Sequence, residues 1–146
     1  MARHIDTLLD VIDAWHRLDV DGVIDRLHDS FVWNNSGGML PVIEGKDAMR
    51  AALTKMAGKT RSNSWRLFDY AETGDTLWME GVDEFTGTDG SHLAVPYAGV
   101  LEFRDGLIHR WREYFNAYVQ TSQREKKEIS PEVRAMLDRP VVTRAG

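Results

Sequence analysis

Three turn signals, Thr73-Gly74-Asp75, Thr88-Asp89-Gly90 and Asp105-Gly106, punctuate the second half of the chain at intervals of about 15 residues. Glycine beside aspartate reverses a backbone at little steric cost. The segments these signals bound, 65–73, 76–87, 91–104 and 107–119, are rich in Val, Leu, Phe, Tyr and Trp, residues suited to a half-buried pleated surface. Several outrun the usual ~5–6 residues of a strand. Strands that long must twist, and a sheet made of them curls. The first half of the chain has another period. Ile5, Leu8, Leu9, Ile12 and Trp15 form a helical stripe, and Val20, Val23, Ile24 and Leu27 repeat it after a break at Leu18-Asp19. Phe31, Trp33 and Asn35 alternate with Val32 and Asn34, a strand stopped by Gly37-Gly38. A third helix is expected after Gly45, carried by Ala48, Ala51, Ala52, Leu53 and Met56. Helices followed by an antiparallel meander define an α+β chain. The expected form is a cone-shaped curved antiparallel sheet with the N-terminal helices packed on its concave face and a pocket between them.

At 146 residues the chain is the size of one domain. It reads as a unit over 1–122 followed by a polar tail, 123–146, in which Ser130-Pro131-Glu132 starts a short helix. Apolar residues make up 42%, charged residues 28%, and the net charge is −5. That balance excludes a disordered or collagen-like chain, and its acidity argues against a nucleic-acid partner. Without cysteine there can be no disulfide, thiolate metal site or cysteine nucleophile. No HExxH, CxxC, phosphate loop, GxGxxG or GxSxG occurs, and His4, His16 and His28 fall on different helical faces, so no metal site is expected. Asn34-Asn35-Ser36 fits the glycosylation pattern without a secretory signal beside it. Met1-Ala2-Arg3-His4 opens no signal-peptide core, and no apolar run approaches about 18 residues. The expectation is a cytoplasmic protein with no membrane contact.

Side-chain alternation sorts the strands into faces. In the last strand Arg110, Arg112 and Tyr114 share one face, and His109, Trp111, Glu113 and Phe115 share the other. In 76–87, Leu77, Met79, Gly81, Asp83 and Phe85 oppose Trp78, Glu80, Val82 and Glu84. Each strand thus places one carboxylate, Asp83 or Glu113, among apolar neighbours, which is costly unless the group is paired, hydrogen-bonded or protonated. Two such groups in one dry pocket can share a proton and supply an acid and a base together. That suits proton transfer on an uncharged, mostly hydrophobic small molecule: epoxide hydrolysis, isomerisation, dehydration or cyclisation. The alternative outside enzymes is a non-catalytic small-molecule binding module. The outward Arg110, Arg112 and Tyr114 are compatible with a homodimer through the outer sheet face. His92 reads as surface and 124–128 as a solvated face.

Glu80-Gly81-Val82-Asp83, Gly99-Val100-Leu101-Glu102-Phe103, Asp105-Gly106-Leu107-Ile108 and Trp111-Arg112-Glu113-Tyr114-Phe115-Asn116 resemble the core of the limonene-epoxide-hydrolase-like family. So does Phe31-Val32-Trp33-Asn34-Asn35 with the following Leu40-Pro41 and Gly45. The family belongs to the larger ketosteroid-isomerase and nuclear-transport-factor-like (cystatin-like) fold, which also holds polyketide-cyclase-like relatives. The resemblance implies a water held by an Asn, a Tyr and a base carboxylate, an acid carboxylate opposite, and an Arg bridging the two carboxylates. By that likeness Asn35 holds the water, Asp83 is the acid, and Glu113 stands in place of a base Asp. Trp33 takes the Tyr position, and its indole can donate but not accept a hydrogen bond. Gly81 takes the Arg position. Loss of the guanidinium implies a carboxylate pair that holds a proton more tightly, and a glycine there is expected to enlarge the cavity. Tyr97, on a face shared with Val95, is expected to offer a replacement hydroxyl. Met56, Met79, Phe85, Trp111 and Phe115 are expected to line the pocket, with His109 at its mouth. The chemistry implied needs no metal, cofactor or covalent intermediate.

Overall fold

A computed structural model describes residues 3–38 and 40–144. Met1-Ala2 of the N-terminal reading and the last two residues of the 123–146 tail lie outside the described residues. The elements run α1 (His4–His16), α2 (Val20–Ile24), β1 (Leu27–Asn34), a 3-10 turn (Ser36–Gly38), β2 (Ile43–Glu44), α3 (Lys46–Gly58), β3 (Thr60–Thr73), β4 (Thr76–Gly87), β5 (His92–Arg104), β6 (Leu107–Tyr114), α4 (Ala117–Lys126) and α5 (Pro131–Met136). The chain is α+β, with one curved six-stranded sheet ordered β2-β1-β6-β5-β4-β3.

The sheet is mixed, which corrects the wholly antiparallel expectation. β1 and β6 pair in parallel, and every other neighbouring pair is antiparallel. A parallel pair needs a long crossover. Here the return path is α3 and the whole β3–β5 meander. Leu27 belongs to β1 rather than to the second helix, and Asn35 lies one residue beyond the strand.

One face of the sheet packs on the first three helices. Leu77, Met79, Tyr97, Leu101, Ile108 and Trp111 meet Ile5, Leu8, Val11 and Trp15 of α1, Val23 and Ile24 of α2, and Met49 and Leu53 of α3. Each fully buried Leu, Ile or Val contributes roughly 1.5–3 kcal/mol by leaving water. The buried stripe of α3 is Met49 and Leu53, whereas Ala48 and Ala51 are exposed and Met56 keeps 40% of its surface open. The helix is rotated from the alanine-rich face expected, so Met49 and Leu53 enter the core while Met56 stays at its edge.

The C-terminal segment covers part of the other face. Ile129 and Val133 pack on Phe68, Val82 and Ala94, and the Arg139 guanidinium lies 4.4 Å from the centre of the Phe68 ring. The chain then bends round the β3 edge, where Val142 N donates to Leu67 O at 2.8 Å. Arg144 pairs with Asp10 and Asp13 of α1.

β6 stops at Tyr114, short of the 107–119 strand expected. Asn116 ends the extended run by accepting from Tyr118 N at 2.9 Å, and so caps the start of α4. Gln123, buried on α4, accepts from Ala94 N at 2.8 Å and donates to Ala94 O at 2.6 Å. Its amide fastens the helix to the part of β5 that β6 leaves unpaired.

Candidate active site

Strand alternation turns Asp83 and Phe85 of β4, Val95 and Tyr97 of β5, and Trp111 and Glu113 of β6 toward the helices. They line a cavity of about 160 Å³ together with Trp33, Asn35, Met56 and Phe115. The cavity therefore gathers ten of the residues singled out in the sequence, both carboxylates included. Val11, Trp15, Val23, Met49, Leu53, Trp65 and Gln120 complete the wall. Trp65 stacks on Trp111 with centroids 5.6 Å apart, and Trp33 lies 6.3 Å from Trp111. Trp15 carried a signal in the stripe of α1. Gln120 carried none, because a strand was expected to run to residue 119.

Three expected lining residues are elsewhere. Met79 is buried in the core beneath the cavity, its methyl group over Gly99. His109 sits at an irregularity of the β5–β6 ladder, where Glu102 pairs with Arg110 and Phe103 with Ile108. That irregularity ends the simple alternation, and His109 packs edge-on against His28 instead, with centroids 5.1 Å apart. Burial, then Arg104 and Arg110, hold its imidazole below the ordinary pKa.

Gly81 does not enlarge the cavity. A Cβ there would overlap the Arg66 carbonyl oxygen and come 2.6 Å from the Tyr97 hydroxyl. The strand β3 and the Tyr97 ring occupy the space, so no guanidinium can extend from position 81. Nor is Tyr97 a spare hydroxyl. It donates to Arg66 O at 2.9 Å and accepts from Trp65 Nε1 at 2.6 Å. Burial drives its pKa far above that of a free phenol.

The electrostatics follow from this wall. Burial alone raises Asp83 to about 6. Burial raises Glu113 to about 7, helped by the charge on Asp83 and opposed by its hydrogen bond from Trp111. That bond, Trp111 Nε1 to Glu113 Oε1 at 2.8 Å, favours the ionised form of Glu113. Asp83 Oδ1 is buried with no protein partner among the described residues. The two groups interact across one cavity, so they titrate as a pair that holds one proton between about 6 and about 7. The arrangement can donate a proton from one wall and remove one at another, within walls that include four tryptophans. Among the described residues no His, Asp and Glu side chains gather as a metal site, and no helix is long and apolar enough to cross a membrane.

A curved sheet closed by helices over a pocket defines the NTF2-like, cystatin-like class of small α+β proteins. The chain belongs to the SnoaL-like domain family, which matches residues 8–111. Solved structures agree in fold. An LEH-like epoxide hydrolase from M. tuberculosis is 24% identical with a TM-score of 0.72, over 82% of this chain and 86% of that one. A SnoaL-like protein from Shewanella denitrificans OS-217 is 14% identical at 0.76, over 84% and 97%. A protein of ketosteroid isomerase-like fold from Catenulispora acidiphila DSM 44928, in complex with trimethylamine, is 14% identical at 0.72, over 80% and 90%. No curated protein matches the chain.

Proposed function

We propose that the chain is an acid–base enzyme acting on a small, uncharged, mostly apolar molecule, with hydrolytic opening of an epoxide as its reaction. The observation that carries this reading is the carboxylate pair Asp83 and Glu113, with pKa values raised to about 6 and about 7 in one aromatic cavity. The pKa order leaves the shared proton mainly on Glu113, and the reactive form is the tautomer that carries it on Asp83. Ionised Glu113 then takes a proton from water, the water oxygen attacks an epoxide carbon, and the carbon–oxygen bond breaks as Asp83 protonates the leaving oxygen. The product is a vicinal diol, and the proton gained by Glu113 returns to Asp83 through solvent. Asn35, in the same wall, orients the water. The resemblance to limonene-epoxide hydrolases and the epoxide-hydrolase neighbour support this choice. Each of the acid and base roles is worth about 10²–10⁴ in rate.

A second reading, proton relocation within a substrate by an isomerase, dehydratase or cyclase, is favoured by a cavity lining that includes no Lys or Arg among the described residues. It uses the same pair. An epoxide panel in ¹⁸O-labelled water separates the two. Labelled diol, lost in Asp83→Asn and in Glu113→Gln, supports hydrolysis. Deuterium exchange into a ketone without oxygen incorporation supports relocation. Tight ligand binding indifferent to both substitutions, with neither reaction, overturns the enzymatic reading. The part of the outer sheet face left open by α5, where Trp78 and Tyr114 are half exposed, supports a homodimer, checked by sedimentation equilibrium of the unmodified chain.

A further inference from the structure

The inner cavity does not end at its aromatic walls. Trp15, Met56, Asp83 and Phe85 also border a second, outer depression of about 550 Å³. A cavity near 160 Å³ holds little more than one six-membered ring, so any longer ligand in it must extend into this vestibule. The vestibule differs in chemistry from the chamber within. Its rim comes from three places: the end of α3 and the start of β3 (Lys59, Thr60), the β4–β5 hairpin (residues 87–91), and α4 (Arg124). Arg124 lies four residues beyond Gln120, and positions four apart share one helix face. Gln120 lines the chamber and Arg124 the vestibule, so one face of α4 roofs the whole path. The two hydrogen bonds of Gln123 to Ala94 fix that face in place.

The rim carries two cations, Lys59 and Arg124, against one ionised carboxylate, Asp89, which also feels the charge of Arg124. Asp89 is engaged within its own turn, accepting from Ser91 N at 2.9 Å and Ser91 Oγ at 2.6 Å, which hold its carboxyl below the usual range. Arg124 Nη1 reaches Ser91 Oγ at 3.5 Å and, with Lys59, joins no ion pair within 4.0 Å among the described residues. Thr88 N donates to Lys59 O at 2.9 Å and ties the hairpin to the end of α3, so the two cations face the vestibule from walls that are themselves joined.

We infer that the vestibule binds the anionic end of an elongated ligand whose apolar ring end occupies the inner cavity, a substrate class that rests on reading that cavity as the reacting chamber. Two probes of equal length test it, 6-phenylhexanoate and 6-phenylhexan-1-ol, each titrated against the tryptophan fluorescence of the unmodified chain at low and high salt. At low salt the acid binds about fivefold tighter than the alcohol, the size expected of two solvent-exposed ion contacts. Salt erases the difference. K59E/R124E abolishes or reverses the preference while the affinity for the alcohol holds, and K59Q/R124Q abolishes it without a reversed charge. Equal affinity for the two probes, a preference unmoved by these substitutions, or no binding of either probe overturns the inference. Binding is read without turnover. Loss of the epoxide reaction alone would count against the proposed chemistry and leave the probe preference standing.

Discussion

Gly81 and Tyr97 show how one missing side chain is answered by another. The Tyr97 hydroxyl fills the space over Gly81 and is held there by Trp65 and Arg66. Gly81→Ala is expected to cost about 2–4 kcal/mol, since its Cβ must displace a backbone carbonyl rather than a flexible side chain, as read by urea denaturation. Tyr97→Phe leaves the buried Trp65 N–H and the Arg66 carbonyl without their partner and is expected to cost about 1–3 kcal/mol. The carboxylate pair makes a prediction of a different kind. In the proposed mechanism the active form carries one proton, so kcat/KM against pH is expected to rise through about 6 and fall through about 7. In Asp83→Asn the neighbouring charge is gone, and the Glu113 pKa drops toward its ordinary range, measurable by ¹³C NMR of the labelled carboxyl. Both carboxylates were legible from a period of two, because nothing interrupts the alternation between Leu77 and Phe85 or between Trp111 and Glu113. His109 was misplaced for the same reason: the ladder shift beside Phe103 leaves no mark in the sequence.

The elements built from strong local chemistry were legible, and those set by distant partners were not. The Thr73-Gly74-Asp75 and Thr88-Asp89-Gly90 signals bound β4 at the expected residues, and Ser130-Pro131 starts α5 where a capping serine and a first-turn proline require it. The parallel pairing of β1 with β6 was hidden, since it depends on where a long return path delivers the chain rather than on either strand. α4 was hidden by its own composition. Tyr118 and Val119 continue an apolar pattern, and only Asn116 signals the change from strand to helix. What holds α4 is Gln123, so Gln123→Ala is expected to cost about 1–3 kcal/mol by leaving a buried backbone pair unsatisfied. The same substitution also weakens ligand binding, because Gln120 and Arg124 ride on the helix it anchors. Thermal denaturation and fluorescence titration read the two effects separately. Ser122→Ala, on the same helix but without a hydrogen bond to β5, serves as the control.

At the scale of the whole molecule the site works against the fold that carries it. The carboxyls of Asp83 and Glu113 lie at 3.8 and 4.5 in an unstructured chain and rise to about 6 and about 7 on folding. The folded chain therefore binds their protons more strongly than the unfolded one. Their effect on stability is most favourable at and below pH ~4, diminishes as pH rises through the span between unfolded and folded values, and is constant above about 7. Glu84 and Glu102 pull the other way. Arg66 and His92 lower Glu84 against its burial, and Arg112 lowers Glu102, so both lose stabilising charge as the solution is acidified. The balance places maximum stability on the acid side of neutrality, with a decline toward pH 8 that belongs to the buried carboxylate pair. The Asp83→Asn, Glu113→Gln double variant removes both buried charges and keeps the side-chain shapes. It is expected to exceed the unmodified chain in stability at pH 8 by on the order of 2 kcal/mol and to match it only at pH ~4, where both carboxyls are largely protonated in either state. Urea denaturation at the two pH values measures the difference. Equal stability at pH 8 would mean that the cavity already solvates the two carboxylates, and the shared-proton chemistry would lose its physical basis.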